Sequence, residues 1–164
     1  MKSDASKKEK RWNALEEKAR DTVDAFGPPI DPKIKFLLVG LWVHAIPTSA
    51  SCQGHLRGGR PYPWVRIKTP SPRAWGERET WADDEKKRKI MYRKNIQAGA
   101  AVLDLLKDFY KTRKPSYEAQ LILSDVNVFW GHCELLPHGA PLLASTQKNL
   151  DTSQAEIQAF AEFL

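Results

Sequence analysis

The residues best equipped for chemistry in this chain lie between Thr48 and Ile67, in the stretch TSASCQGHLRGGRPYPWVRI. A thiol, Cys52, stands three positions before an imidazole, His55. Hydroxyls at Thr48, Ser49 and Ser51 precede them, and Arg57, Arg60 and Arg66 follow. Three chemistries fit. Cys52 with His55 as its base is the minimal pair of a thiol enzyme, and neighbouring arginines would lower the thiol pKa. Thiolate and imidazole are also zinc ligands, and further ligands could come from His132, Cys133, His44 or His138. His132 and Cys133 are adjacent on a strand and face opposite ways, so only one could join. No second C-x-x-C or H-x-x-x-H accompanies the pair, and no metal is assigned. In the third chemistry the stretch cradles an anion. Thr48, Ser51 and Gly54 let a ligand approach hydroxyls and backbone amides, Arg57, Arg60 and Arg66 supply charge, and Trp64 or Tyr62 stacks on a base. A tight hairpin with no ligand is the structural alternative.

Charge favours the third reading. The chain of 164 residues carries 26 Lys and Arg against 20 Asp and Glu, a formal +6. Between Gly54 and Arg78 five arginines and Lys68 face one acid, Glu77. Arginine is the side chain suited to bidentate phosphate or carboxylate recognition. The expected partner is therefore RNA or a nucleotide. The longest apolar run, FLLVGLWVHAI, is about half of the ~20 residues a membrane span needs, so no membrane partner is expected. The N-terminal MKSDASKKEKRW lacks the apolar stretch of a secretory signal. A cytoplasmic address follows as the expectation, with Cys52 and Cys133 as reduced thiols.

The elements that must position these residues are legible in outline. Residues 1–10 are polar and read as a disordered tail, leaving 11–164 as one domain. Trp12, Leu15, Ala19, Val23 and Phe26 recur at helical spacing, and Gly27-Pro28-Pro29 stops that helix. Asp31 before Pro32 reads as an N-cap with proline at the first helical position. The helix it opens runs to Ile46 and is apolar on most sides, as a central buried helix is. Thr48–Leu56 and Pro63–Thr69 read as strands joined at Arg57-Gly58-Gly59-Arg60, with Trp64 and Arg66 on one face and Val65 and Ile67 on the other. Thr80 reads as the cap of a helix from Trp81 to Arg113. The run Lys86-Lys87-Arg88-Lys89 gives that helix a basic face. Ala119–Val126 and Phe129–Leu136 form a second hairpin, and Asp151–Leu164 a last helix. The order α-α-β-β-α-β-β-α predicts an α+β fold, with a sheet of about four antiparallel or mixed strands covered by helices.

Thr48, Ser51, Cys52, Gly54 and His55 spell T-x-x-S-C-x-G-H. This resembles a motif of uncharacterised bacterial and phage proteins in which an apolar helix precedes it and a Pro-Trp or Pro-Tyr strand follows. LLKDFYKTRKPSYEAQLILS and QAFAEFL are also similar to those proteins, so the resemblance extends over most of Asp31–Leu164; it implies no established function. TSASCQGH is in addition similar to the T-S-S-C-S-G-R stretch of the wybutosine-synthesising tRNA methyltransferase family, with His55 where that family has arginine. That resemblance, eight residues long, implies a tRNA or modified-base partner and S-adenosylmethionine. The leading expectation is an anionic ligand bound at Ser51–His55. The alternatives are an enzyme using Cys52 and His55, for methyl transfer or thiol chemistry, and a protein-interaction module.

Overall fold

A computed structural model of the protein describes residues 4–23, 28–70, 84–127, 129–140 and 142–164. The first helix, α1, spans Asp4–Asp21. It starts inside the segment expected to be a disordered tail, because the helix as a whole is rich in Ala, Lys and Glu, which favour helix. It stops before the expected Phe26. Thr22 turns both its N–H and its hydroxyl onto the Lys18 carbonyl, and Val23 forms an isolated antiparallel bridge with Pro29.

Helix α2, Pro32–Val43, is the central helix its composition predicts. Ile34, Leu37, Leu38, Val39, Gly40 and Leu41 are buried, and full burial of each large side chain contributes about 1.5–3 kcal/mol. On one side α1 packs against it, with Trp12 edge-on to Phe36 at 5.0 Å. The helix ends at Val43 rather than Ile46. Pro47 disfavours helical backbone at Ile46, Ala45 takes a left-handed φ of 58°, and the Ile46 N–H reaches back to the Leu41 carbonyl at 2.9 Å.

The strands are β1 (Thr48–Cys52), β2 (Trp64–Ile67), β3 (Leu121–Asn127) and β4 (His132–Pro137). They form one four-stranded sheet in the order β1-β2-β4-β3, with every pairing antiparallel. The two hairpins are thus joined through β2 and β4, where Val65 opposes Leu135 and Arg66 opposes Glu134. Alternation holds in β2. Val65 and Ile67 join Cys133, Leu135 and Leu121 in the core, and Trp64 and Arg66 turn to the other face. The first hairpin departs from expectation in its loop. The strands end at Cys52 and restart at Trp64, so the connection is much longer than a four-residue turn.

Helix α3, Glu85–Phe109, is capped by Asp84, whose side chain accepts the Lys87 N–H; the expected cap Thr80 and the expected helix start at Trp81 lie outside the described residues. Gly99 lets it approach β4, since a Cβ there would lie 3.2 Å from Cys133 Sγ. Helix α4, Gln147–Phe163, begins at the Thr146 cap, four residues before the expected Asp151. It crosses α2 at Gly40, where a Cβ would meet Leu164 at 2.9 Å. Buried Glu156 on α4 accepts a two-pronged bond from Arg113 and a third bond from the Tyr110 hydroxyl. The observed order is α-α-β-β-α-β-β-α, an α+β fold. Among the described residues no helix is long and apolar enough to cross a membrane.

Candidate functional site

The site forms where the start of α2 meets the end of β1. Asp31 occupies the N-cap position of α2, yet its side chain makes no capping bond. Its Oδ2 instead accepts the Gln53 N–H at 3.0 Å and the His55 Nε2–H at 3.3 Å. After Cys52 the chain turns sharply at Gly54, φ +88°, in the left-handed region that glycine tolerates. A Cβ at Gly54 would lie 2.7 Å from the Tyr62 carbonyl carbon and 2.7 Å from Leu150 Cδ1. The turn places His55 beside Asp31 and directs the Gly54 N–H at Cys52 Sγ, 3.3 Å away. As a result one donor atom each from Asp31, Cys52 and His55 lies within 4.8 Å of the others.

Gln53 ties this turn to the rest of the fold. Its side-chain oxygen accepts the Lys33 N–H at 3.1 Å, and its carbonyl accepts Gln154 Nε2 at 2.9 Å. Lys33 Nζ closes the ring by donating to Gln154 Oε1 at 2.6 Å.

The three groups sit on the wall of a cavity of about 340 Å³. Thr48, Ser49 and Ser51 supply hydroxyls to its lining, and Ile30, Leu38 and Trp42 supply apolar surface. Trp42 is held by a 2.8 Å bond from Nε1 to Thr48 Oγ1. Burial pushes the Cys52 thiol above its ordinary pKa, and the Asp31 carboxylate adds to that; the Gly54 N–H and the Arg60 charge oppose it without reversing it. The thiol is therefore protonated at neutral pH, which is a poor state for a nucleophile.

Of the residues singled out in the sequence, Thr48, Ser51, Cys52 and His55 line the cavity. Gly54 serves through its backbone. The arginines divide. Arg57 lies in the exposed run 56–60. Arg60 donates to Glu134 Oε2 at 2.6 Å, and Arg66 donates to Oε1 through Nη2 at 2.7 Å and Nε at 3.1 Å. Both guanidinium groups stack on Trp64, at 4.7 and 5.6 Å from the ring centre. Arg60, Trp64 and Arg66 thus form a cluster with the buried Glu134, outside the cavity lining.

The other candidate metal ligands do not converge with Cys52. Cys133 is in the core, His44 lies 3.4 Å from the Leu164 carbonyl, and His138 pairs with Tyr117 at 3.2 Å. His132 sits across from Asn127 in the second hairpin.

Asp31 is the functional candidate that sequence reasoning passed over. An aspartate before a proline carries a complete explanation as a helix cap, and that explanation hides its second use. Compared with protein-family models, with curated proteins and with solved structures, the chain matches none.

Proposed function

We propose that the protein is a small enzyme that binds a compact ligand in the cavity beside β1 and acts on its polar end with Asp31, Cys52 and His55. The observation that carries this reading is the convergence of a carboxylate, a thiol and an imidazole on one wall of a cavity of about 340 Å³, within the usual range of roughly 300–1,000 Å³ for ligand sites. The remaining wall suits a ligand with one apolar end, facing Ile30, Leu38 and Trp42, and hydroxyl or amide groups facing Thr48, Ser49 and Ser51. Asp31 orients the His55 ring, the arrangement in which an imidazole exchanges protons with a bound group. Cys52 contributes as a protonated thiol or a ligand atom rather than as a resting thiolate.

A second reading keeps the anionic partner. Arg57 is exposed two residues from His55, and the chain carries a net +6, so RNA or a nucleotide would meet the rim of the hairpin rather than the cavity.

One titration separates the two. Trp42 in the cavity wall reports binding by fluorescence. The probes are S-adenosylmethionine and adenosine monophosphate, and a short RNA. The cavity reading expects a small-molecule probe to lose about tenfold or more in affinity on Asp31→Asn or Ser51→Val, with little change between low and moderate salt. The rim reading expects RNA affinity to fall on Arg57→Ala and to decline steeply with salt. If no small-molecule probe responds to Asp31→Asn or Ser51→Val while RNA binding responds to Arg57→Ala, the cavity reading is wrong.

A further inference from the structure

We propose that Asp31, Cys52 and His55 bind one divalent transition-metal ion, zinc foremost, and leave a coordination position open toward the cavity. This rests on the cavity reading above and specifies what its polar end holds, with His55 acting there as a metal ligand in place of a proton-exchanging group. Zinc accepts thiolate, imidazole and carboxylate together, and three protein ligands with a fourth open position is the pattern of its catalytic sites. Zn–S near 2.3 Å and Zn–N or Zn–O near 2.0–2.1 Å place tetrahedral ligand atoms about 3.3–3.7 Å apart. His55 Nε2 and Asp31 Oδ2 already stand at 3.3 Å, and all three atoms fall within 4.8 Å. Only a small contraction is needed.

Two independent features of the fold point the same way. Asp31 sits where an aspartate ordinarily caps a helix, and its carboxylate makes no cap; it is turned toward His55 and Gln53 instead. Backbone donors are also aimed at the ligand atoms, Gln53 N–H at Asp31 Oδ2 and Gly54 N–H at Cys52 Sγ. Outer donors of this kind fix ligand orientation and tune the metal. The Cys-x-x-His spacing meets around the left-handed Gly54, so thiol and imidazole fall on one side of the turn.

The balance is simple. The metal displaces the Cys52 thiol proton to solvent and takes the place of the Nε2–H between His55 and Asp31, the neutral imidazole keeping its proton on Nδ1; a dipositive ion with one carboxylate and one thiolate then makes a neutral centre, suited to a partly buried wall. A water or ligand oxygen at the open position would be polarised there. The mixed sulfur, nitrogen and oxygen set favours zinc over magnesium or calcium, which take oxygen ligands.

The test uses the full-length protein, stripped with chelator and titrated with Co²⁺ and then Zn²⁺. The expected result is one equivalent bound, with a thiolate-to-cobalt charge-transfer band and four-coordinate visible bands that Zn²⁺ bleaches. Cys52→Ser removes the charge-transfer band. Asp31→Asn and His55→Gln each weaken metal binding by about a hundredfold. Cys133→Ser and His138→Gln leave binding unchanged. Thermal melts of the stripped variants identify any that fail to fold, and the isosteric Asp31→Asn keeps the test decisive if one does. Absence of a saturable cobalt spectrum, or a thiolate band that survives Cys52→Ser, overturns the metal site. Binding of S-adenosylmethionine or adenosine monophosphate to the stripped protein is measured alongside: a ligand without a metal retires only this inference, whereas a metal without a cavity ligand retires only the ligand reading.

Discussion

Glu134 offers the sharpest test of how the first hairpin is held. Its side chain is 4% exposed and accepts from two arginines, Arg60 at 42% and Arg66 at 31% exposure. A hydrogen bond to a charged group contributes about 1.5–3 kcal/mol, reduced where water can reach the guanidinium. Arg60 gives one such bond and Arg66 gives two. We expect Arg60→Ala to cost about 1 kcal/mol and Arg66→Ala about 2 kcal/mol, because each leaves Glu134 with the other guanidinium. Removing both leaves a buried carboxylate without a cation, which costs about 4–5 kcal/mol. The double variant should therefore exceed the sum of the singles by about 1–2 kcal/mol. Urea melts at pH 7 read this as shifts in midpoint at constant slope. Additivity to within about 0.3 kcal/mol, with both single effects small, would refute the claim that Glu134 organises the cluster. It would also return Arg60 and Arg66 to the pool of residues available for an anionic ligand.

Other expectations follow from single positions. Gly54→Ala should destabilise by more than about 2 kcal/mol, combining left-handed strain with backbone overlap, whereas Gly58→Ala, at φ +75° with nothing within 4 Å, should cost only about 1 kcal/mol; equal urea midpoints for the two would contradict the close approach at Tyr62. Tyr110→Phe leaves the Leu121 N–H without the hydroxyl that accepts it at 2.7 Å and should cost about 1–3 kcal/mol by the same assay. Burial pushes the Cys133 thiol up to about 11 from an ordinary 9.0. Its folded pKa is raised, so stability is intact below pH 9 and is lost as pH rises toward 11, by an amount of about 2 kcal/mol; Cys133→Ala should lose less over that window, and parallel pH profiles for the two proteins would count against it.

The helices and hairpins announce themselves through local signals: the Asp31-Pro32 start of α2, the alternation of WVRI, the apolar face of α4. These depend on residues a few positions apart. The joining of the hairpins does not. β2 meets β4 across the whole length of α3, and no period in the sequence encodes that pairing. The same limit hid the fate of the arginines. Arg60 and Arg66 read as available charge because Glu134 lies 74 and 68 residues away, on a strand position that alternation alone assigns to an outer, solvated face. The site was half legible. Cys52 and His55 stand out by type and spacing, while Asp31 was masked by its fitness for a simpler role. The protonated thiol was not legible either, because desolvation is set by the three-dimensional surroundings and not by neighbouring arginines.

The ring formed by Gln53, Lys33 and Gln154 has a consequence for the order of events when the chain is made. Asp31, Cys52 and His55 leave the ribosome before the residues that hold their turn. The groups that hold their turn, Leu150 against Gly54 and Gln154 on the Gln53 carbonyl, are made about a hundred residues later, and at roughly 5–20 residues per second that is a wait of about 5–20 s. For that interval the Gly54 turn lacks both of these supports. The residues that line the cavity all fall between Thr22 and His55, so a nascent chain stalled before Leu150 carries the whole lining but not the contacts that hold the Gly54 turn in place.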